Sequence, residues 1–484
     1  MNKPFTYLLA CSMALLACNA SQAEPAVADA PPNIVIVLAD DMGWRESGAY
    51  GHTDVETPNI DLLADQGMKF NLAFTATAMC APTRQQLYTG LYPVRSGAYP
   101  QNSRVRQGTL SLPHYLGELG YRVGISGKRH YAPVEAFPFE SLNSPDTPYD
   151  KEVPEMDLIE AFVTRDSSQP FALLVTSRQP HTPWNKGEKH YDPASLRVPV
   201  DLVDTPEMRS ALASYYREVS DFDSELGRVM AIVERAGAKE NTLFMFTSEQ
   251  GAMLPNGKWT LYDNGIRTAM VVRWPGIVEA GSETDALVAY VDVVPTLVEA
   301  AGGEAPGVDG RSFLGVLQGA DSTHRDYVFG VHTNVGVCNG SPYPIRSVRD
   351  GRYKLIVNGN AEREFQNNIT VRDPADYYES WRLAGESGNE LAAERHSAYR
   401  ERPAEEFYDL QSDPLELANQ VDNPDYAEPL ARLRGELHAW LKEQGDTDLM
   451  LTERSALSRM LPGGVAKLMT PKCGSMTDLL PGGA

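Results

Sequence analysis

Cysteine and positive charge are both scarce in this sequence. Five of its 484 residues are cysteine, and 43 lysines and arginines stand against 65 aspartates and glutamates, for a net charge of -22. This excess of acidic residues argues against electrostatic binding to nucleic acid or to an anionic membrane surface. Any anionic substrate must therefore meet a local cluster of basic residues.

Internal repeats and low-complexity tracts are lacking as well. The composition is 42% hydrophobic and 22% charged, which is typical of a folded globular protein and argues against disorder. A chain of this length has room for a large α/β domain and a smaller companion.

The first 23 residues have the pattern of a secretory leader. They carry one positive charge, Lys3, an apolar run from Phe5 to Ala17 and two candidate processing sites. Such a segment is too short to span a bilayer and continue. The stretch LLAC, ending at Cys18, resembles a bacterial lipobox, whereas SQA, ending at Ala23, is a small-x-small cleavage site. The sequence predicts an exported protein, either periplasmic, secreted or held at a membrane by a lipid anchor alone.

The few cysteines leave one thiol without an obvious partner. Cys11 and Cys18 lie in the leader, so the folded part keeps at most Cys80, Cys338 and Cys473. An odd count in an oxidising compartment marks one thiol as special or left over. If Cys338 paired with Cys473, Cys80 would be the odd one, either as a reactive group or as a buried structural thiol.

Four apolar segments predict buried parallel strands, because each is a continuous apolar run bounded by turn residues. They lie at residues 33–41, 121–130, 171–181 and 242–251, and each stops at polar side chains. Ligands bind at the carboxyl ends of strands in open α/β sheets, so we expect these ends to share one crevice. The polar residues at the four ends are Asp40, Asp41, Lys128, His130, His181, Glu249 and Gln250.

The remaining pattern predicts two parts. Helical stretches at residues 57–67, 205–236 and 291–303 alternate with the strands, as a doubly wound α/β domain requires. After about residue 320 the alternation of apolar strands and helical stretches ends, and residues 343–358 predict a hairpin around Asp350-Gly351. We predict a catalytic domain over residues 24–320 and a smaller subdomain with a tail over residues 321–484.

The segment CAPTRQQLYTG, residues 80–90, combines a thiol with an anion site. Pro82 suits the first turn of a helix and Gly90 its end, so the sequence predicts a helix over residues 82–89 with Cys80 just ahead of it. The free N–H groups and the dipole at that end favour an anion. Arg84 projects from the same turn, which places a nucleophile and a guanidinium beside the anion site.

This segment resembles the C-x-P-x-R-x-x-x-x-T-G signature of the type I sulfatases, in the alkaline phosphatase-like superfamily. The surroundings are also similar: PNIVIVLADDMG, GYRVGISGKRH, PHTPW and FTSEQG, followed by KWTLYDNGIRTAMVVRWPG. The similarity covers most of the chain after the leader and is strongest to bacterial heparan N-sulfatase-like (N-sulfoglucosamine sulfohydrolase-like) enzymes. It implies an α/β fold with a mixed, mostly parallel sheet flanked by helices, and a C-terminal α+β subdomain containing an antiparallel sheet.

The resemblance implies a sulfatase that hydrolyses sulfate esters or N-sulfate of a sulfated carbohydrate, in polysaccharide degradation. It implies that a maturation enzyme converts Cys80 to Cα-formylglycine (3-oxoalanine) on the unfolded chain. The aldehyde hydrate offers two hydroxyls on one carbon. One attacks sulfur and expels the leaving alcohol or amine, and the other, once deprotonated, collapses to the aldehyde and ejects sulfate.

The resemblance also implies a metal site. Asp40, Asp41, Glu249, Gln250 and the modified Cys80 would bind a hard cation, Ca²⁺ in preference to Mg²⁺. The family usually has Asp followed by Asn or His where this sequence has Glu249 and Gln250. Both replacements keep the donor type but lengthen each arm by one methylene, which leaves open which of the two binds the ion.

Five further residues carry catalytic roles by resemblance. Arg84, Lys128 and Lys258 match the sulfate-binding cations. His130 matches the base that triggers collapse of the hydrate, and its ordinary pKa near neutrality suits that task. His181, with Lys258, matches the group beside the leaving atom, a general acid. The alternatives are that either histidine only holds the sulfate and that Lys128 is an exposed loop residue.

The sugar-binding residues and two rival functions complete the predictions. His332, Asn334 and Arg346 could line a sugar subsite, or belong to hairpin surface and packing. A phosphonate or phosphate ester hydrolase would share the Cys80 signature, but no second set of metal ligands accompanies it here. A non-catalytic binder of sulfated glycans would be expected to lose Cys80, Arg84 or the histidines, and all are present.

Overall fold

A computed structural model of the chain describes Met1 and residues 31–337, 342–371 and 376–446. Of the leader predicted over residues 1–23 only Met1 falls in this set. The pairing of Cys338 with Cys473 that the sequence leaves open, and the tail after residue 446, lie outside the described residues. Within the described part, every helix is too short or too polar to cross a membrane.

Two separate sheets form the framework. The larger has nine strands in the order β4-β3-β5-β1-β6-β7-β2-β8, with β9 paired to β2, and the smaller has the order β10-β11-β12-β13. The strands are β1 Asn33–Ala39, β2 Met68–Phe74, β3 Arg122–Gly127, β4 Glu140–Ser141, β5 Phe171–Thr176, β6 Thr242–Ser248, β7 Arg267–Arg273, β8 Ser282–Thr284, β9 Val288–Ala289, β10 Val328–His332, β11 Ile345–Arg349, β12 Tyr353–Asn358 and β13 Glu405–Asp409. The predicted mixed, mostly parallel sheet with a smaller antiparallel sheet is confirmed.

Helices cover both faces of the larger sheet and one side of the smaller. They are α1 Pro58–Asp65, α2 Cys80–Thr89, α3 Pro93–Ser96, α4 Leu112–Glu118, α5 Met156–Thr164, α6 Pro206–Arg235, α7 Asp263–Ile266, α8 Val293–Ala300, α9 Leu314–Leu317, α10 Asn368–Val371, α11 Asp376–Glu386, α12 Glu390–Arg400 and α13 Ala427–Gln444. α1, α5 and α11 pack on α6, α4 packs on β3 and α8, and α13 packs on β11 and β12.

The central strand β1 explains why the sequence reads as continuous apolar runs. Val35 and Val37 point into the core shared with α6, whereas Ile34 and Ile36 point into the core shared with α8. Successive side chains of a strand alternate between faces, so a strand covered on both faces is apolar at every position.

The four predicted strands are adjacent and parallel, which brings their carboxyl ends to one edge. β1 pairs in parallel with β5 on one side and β6 on the other, and β3 pairs in parallel with β5. Gly127 ends β3 with φ 94°, and a Cβ there would lie 2.1 Å from the Thr176 carbonyl oxygen. Glycine is therefore needed where the chain turns out of the sheet toward Lys128.

A buried ion cluster joins the two sheets. Lys354 Nζ on β12 lies 2.8 Å from Asp263 Oδ1, at the start of α7, and 2.9 Å from Glu416 Oε1. Arg349 on β11 contacts the other oxygen of Asp263. Burial would raise the pKa of Asp263, but Arg349 and Lys354 outweigh it and lower the pKa to about 2. The cluster thus keeps Asp263 ionised inside the protein, whereas burial raises the pKa of Glu416 to about 7.

Replacing Lys354 with methionine is expected to destabilise the protein by about 3–5 kcal/mol, because Asp263 and Glu416 lose their shared buried partner. The measurement is the unfolding midpoint in urea and on heating. The matched control is Lys239→Met, which removes the surface pair of Lys239 with Glu234, 3.4 Å apart, and should cost about 0.5 kcal/mol. Equal losses in the two variants would show that the buried cluster does not stabilise the fold.

Candidate active site

The carboxyl ends of β1, β3, β5 and β6 bring acidic and basic side chains together. Lys128 Nζ lies 2.5 Å from Asp40 Oδ2, and His181 Nε2 lies 3.6 Å from Asp41 Oδ2. Glu249, which follows β6, donates its backbone N–H to the carbonyl of Ala39 at the end of β1. These residues come from four separate stretches of sequence and meet because their strands are neighbours.

Cys80 enters this group from α2. The helix begins at Cys80, with Met79 as its N-cap, two residues before the predicted start at Pro82. Proline is tolerated throughout a first turn, whose N–H groups have no partners inside the helix, so Pro82 does not mark the first residue. Gly90 ends α2 with φ 68°, as predicted. Cys80 is 1% exposed, so the thiol lies inside the protein.

The thiol sits among polar groups of the strand ends. Cys80 Sγ lies 3.0 Å from Lys258 Nζ, 3.5 Å from Gln250 Nε2 and 4.0 Å from Asp41 Oδ1. Gly251, next to Gln250, packs so tightly on α7 that a Cβ would lie 1.7 Å from the Asn264 carbonyl oxygen. That close approach fixes the backbone that carries Gln250.

Three cations pair with three carboxylates, all buried. Arg84 Nε donates to Glu249 Oε2 at 2.6 Å, and Arg84 Nη1 donates to the carbonyl of Lys128 at 2.8 Å. Lys258 Nζ lies 2.6 Å from Asp41 Oδ1. Lys128 pairs with Asp40 as described above. The chain thus concentrates at one point the positive charge that it lacks elsewhere.

Burial and these cations oppose each other at the carboxylates. Burial raises the pKa of Asp41 although Lys258 opposes it, and raises that of Glu249 well above its usual range. Burial would also raise the pKa of Asp40, but Lys128 and other positive groups outweigh it and hold that pKa well below its usual range. Asp40 is therefore the carboxylate most firmly kept ionised.

The thiol and His130 respond to the same surroundings. Burial would raise the pKa of Cys80, but Lys128 and Lys258 outweigh it and hold the pKa well below its usual range. Burial lowers the pKa of His130 to about 4. His130 therefore carries a neutral imidazole at neutral pH, the form that can accept a proton.

Hydrogen bonds select the tautomer of each histidine. His130 Nε2 lies 2.8 Å from Asn102 Oδ1 and so carries the hydrogen, while His130 Nδ1 is buried without a hydrogen-bond partner among the described residues. His181 Nδ1 donates to the Thr182 carbonyl at 2.6 Å, which leaves Nε2 facing Asp41. Asn102 and His130 both have left-handed backbone, with φ 61° and 47°. Such conformations in non-glycine residues are typical of functional sites.

A cavity of about 270 Å³ opens onto this cluster. Its floor includes Cys80, Lys128, His130, His181 and Lys258, whereas Arg84 lies behind the floor, fully buried. The cavity walls include residues that the sequence analysis did not identify. They are Asn102, Tyr149, Asp150, Lys151, Arg178 and Trp259, together with Gly336, Val337 and Asn368 from the C-terminal part. Arg178 follows β5 three residues before His181, so it has the same strand-end position that pointed to His181.

The structure does not bring His332, Asn334 and Arg346 into the cavity. Arg346, on β11, pairs with Asp446, and its Nη1 donates to the Tyr99 hydroxyl at 2.9 Å. His332 is fully buried, and Asn334 donates to the carbonyl of Gln366. All three pack inside the C-terminal part, so we assign them no contact with a sugar.

The cluster has the donors for a hard cation. One ligand atom each from Asp40, Asp41, Cys80 and His181 lie within 4.8 Å of one another. Asp40 Oδ1 and Gln250 Oε1 are buried and make no hydrogen bond within the described residues. Unsatisfied buried oxygens are costly, and a cation bound there would satisfy them. The residues present therefore fit a divalent ion.

Family models and curated relatives agree on what the chain resembles. The model of the sulfatase family matches residues 32–303, and one described as N-sulphoglucosamine sulphohydrolase, C-terminal, matches residues 256–382. An ulvan-active sulfatase of Formosa agariphila is 35% identical over 422 residues, covering 86% of this chain and 81% of that protein. The N-sulphoglucosamine sulphohydrolase of Homo sapiens is 29% identical over 476 residues, covering 86% of this chain and 91% of that protein.

Among solved structures, a protein in complex with its substrate D-glucosamine-2-N,6-O-disulfate has the same fold. The TM-score is 0.66 at 20% sequence identity, and the match covers 86% of this chain and 99% of that one.

Proposed function

Because this chain belongs to the sulfatase family, we propose that it releases sulfate from a sulfated carbohydrate by means of a formylglycine made from Cys80. The chain is a sulfuric ester hydrolase. The observation that carries the finer proposal is the position of Cys80 Sγ, buried 3.0 Å from Lys258 Nζ and beside the carboxylates of the strand ends. A nucleophile among cations suits attack on an anionic ester, whose charge the cations offset.

The burial of Cys80 supports modification before folding. Cys80 is 1% exposed and every residue of α2 is buried, so a maturation enzyme has no access to the thiol in the folded chain. The aldehyde hydrate, when present, supplies two hydroxyls on one carbon, one to attack sulfur and one whose deprotonation releases sulfate. The maturation enzyme is therefore a proposed partner of the nascent chain.

The cations of the site bind the sulfate group in this proposal. Lys128 and Lys258 line the cavity and face the substrate directly. Arg84 lies behind them, where it adds positive charge and keeps Glu249 and the Lys128 backbone in place. Because each is held by a carboxylate or carbonyl, little reorganisation is needed as charge develops on the sulfate oxygens.

The two histidines move protons. His130 interacts with Cys80, and its Nδ1 has no hydrogen-bond partner among the described residues, so we assign Nδ1 to take the proton from the second hydroxyl of the hydrate. His181 lines the cavity with Nε2 directed at Asp41 Oδ2. Once protonated, His181 has a second N–H, which we assign to donate to the leaving oxygen or nitrogen.

Asp40, Asp41, Glu249, Gln250 and the modified residue 80 would hold a divalent cation, and oxygen donors of this kind suit Ca²⁺ in preference to Mg²⁺. Gln250 Oε1 makes no hydrogen bond among the described residues, so this oxygen is available to the ion. The ion would supply positive charge to the sulfate oxygens.

Removal of the ion with EDTA is expected to lower kcat/KM by about 100-fold or more. The melting temperature should fall by several degrees, because a ligand bound only to the folded state stabilises it by about 2.7 kcal/mol at a hundredfold excess over Kd. Ca²⁺ should restore both quantities better than Mg²⁺. In the control variant Asp40→Asn the melting temperature should no longer respond to EDTA. Unchanged activity and melting after metal analysis confirms removal would contradict the site.

The domain and location predictions also remain proposals. We propose that residues 24–320 form the catalytic domain and residues 321–484 a C-terminal subdomain and tail. The antiparallel sheet, which begins at Val328, supports that division. The leader pattern supports export, with a lipid anchor at Cys18 as one of its two forms.

The test of the function is sulfate release, measured by ion chromatography. The protein should carry the formylglycine mass on its residue 80 peptide. The substrates are N-sulfated and O-sulfated sugars, with a phosphonate monoester as control. Release of sulfate from one sugar supports the proposal and decides between N- and O-sulfate. Turnover of the phosphonate with none of any sulfate would assign the chain to phosphonate hydrolysis instead.

A further inference from the structure

We propose that Arg178, assisted by Lys151, binds a second anionic group of the substrate, a carboxylate or another sulfate next to the sulfate that is removed. Both residues line the cavity above Cys80 and neither belongs to the candidate sulfate or metal site. The inference rests on the proposed function, since it concerns the same substrate. It narrows that substrate to an acidic sugar unit carrying two negative groups.

Two backbone carbonyls hold the Arg178 guanidinium in place and leave some of its N–H donors available for a ligand. Its Nε donates to the carbonyl of Glu152 at 2.8 Å, and its Nη2 contacts the carbonyl of Tyr149 at 3.5 Å. Nη1 makes no hydrogen bond within the described residues. Two anchored nitrogens fix the plane of the group, so the remaining N–H donors are directed before a ligand arrives.

Arg178 differs from the three cations of the floor in lacking a counter-ion. Arg84, Lys128 and Lys258 each have a carboxylate within 4 Å. No carboxylate among the described residues comes that close to Arg178. It is half-buried, and burial lowers its pKa. A partly dehydrated, unpaired cation gains when an anion binds, and a guanidinium matches two oxygens of a carboxylate or sulfate.

The rest of the rim fits a sugar. Lys151 is exposed at the end of a short 3-10 turn, Tyr149–Lys151, and adds a second positive charge to the cavity wall, where Asp150 adds a negative one. Tyr149 and Trp259 add aromatic surface to the cavity walls. Long-range attraction is weak in a chain of net charge -22, so recognition of a doubly charged substrate depends on such local cations.

The alternative role for Arg178 is to hold the loop of residues 149–152 through the two carbonyls. A purely structural residue would affect all substrates equally, whereas a binding residue would affect only those with the second anion. The two roles therefore separate on matched substrates.

The experiment compares the active protein with Arg178→Gln and Arg178→Lys on three sulfated disaccharides. They carry the same leaving sulfate and differ at one neighbouring group, which is a carboxylate, the CH2OH of the matching hexose or a second sulfate. In Arg178→Gln, kcat/KM should fall about 10- to 100-fold on the acidic substrate that fits, mainly through KM, the loss expected for one charged hydrogen-bonded pair. On the CH2OH substrate it should fall less than about 3-fold. Arg178→Lys should lie between.

The control Arg197→Gln removes an exposed arginine outside the cavity and should leave kcat/KM unchanged on all three substrates. Equal losses of Arg178→Gln on all three substrates would overturn the proposal. Calorimetric binding of the same disaccharides to Cys80→Ala supplies a readout that needs no turnover. A preference for an acidic disaccharide that disappears in Cys80→Ala/Arg178→Gln supports the subsite even if sulfate release fails, and absence of any preference overturns it.

Discussion

Replacing Cys80 with alanine is expected to reduce sulfate release by more than about 10⁴-fold, since the nucleophile itself is lost. The change removes Sγ, which lies 3.0 Å from Lys258 Nζ and 3.5 Å from Gln250 Nε2. The deleted group is a single small atom, so the fold should lose only about 1 kcal/mol. Ion chromatography of released sulfate and the melting temperature measure the two effects. Retained turnover would refute the formylglycine mechanism.

The variant Cys80→Ser distinguishes a mechanism that needs the two hydroxyls of the hydrate from one that needs a single hydroxyl. A serine offers one hydroxyl that can attack sulfur but no second hydroxyl on the same carbon to eject the sulfate. The expected result is at most one sulfate per chain, seen as a sulfated residue 80 peptide, without further turnover. The matched control is the unaltered sequence made in a host without the maturation enzyme, which keeps the thiol and should be inactive. Full activity of that thiol form would also contradict the mechanism.

Replacing Arg84 with methionine is expected to damage stability and catalysis together. Arg84 is fully buried and pairs with Glu249 at 2.6 Å, so the variant leaves a buried carboxyl without its cation. The expected loss is about 3–5 kcal/mol of unfolding free energy, lessened where Glu249 takes up a proton. The lost positive charge should lower kcat/KM by about 10³-fold. Calorimetry and sulfate release measure the two losses.

The double variant Arg84→Met with Glu249→Gln tests the physical reason. Removing the charge of Glu249 should recover part of the lost stability but none of the activity, because the arginine is still missing and a proposed ligand of the divalent ion is altered as well. Arg273→Met is the control, since Arg273 is buried on β7 far from the cavity floor and bonds Gln66 instead of a carboxylate. It should leave kcat/KM within about 2-fold of the parent. If the double variant is no more stable than Arg84→Met, the ion pair is not the cause of the loss.

The residues at the strand ends are the part of the site that the local sequence pattern predicted. Continuous apolar runs and the rule that ligands bind at carboxyl ends were enough to bring Asp40, Lys128, His181 and Glu249 together. That inference works because a strand covered on both faces leaves a signal in consecutive residues, and because parallel neighbours end at the same edge. The same reasoning missed Arg178, although it follows β5, because the position alone does not show whether a side chain turns toward the crevice.

Residues off the strand ends were harder to place. His332, Asn334 and Arg346 were candidates either for a sugar subsite or for hairpin surface and packing, and the structure pairs Arg346 with Asp446 and Tyr99. A polar side chain has the same appearance in sequence whether it binds a ligand or another part of the chain. Asn102, which bonds His130, carries no local signal except its left-handed backbone, which the sequence does not display.

By itself the sequence determined four parallel strands, the long helices between them, the helix that begins near Cys80 and the type of chemistry at the strand ends, because these depend on neighbouring residues. The tertiary structure decided which cation faces which carboxylate, which nitrogen of His130 is free and which cations of the cavity lack a counter-ion. Those features depend on contacts between segments far apart in the chain, such as Arg84 with Glu249 at 2.6 Å. Their energies come from burial and from distances of a few ångströms, which only the folded arrangement sets.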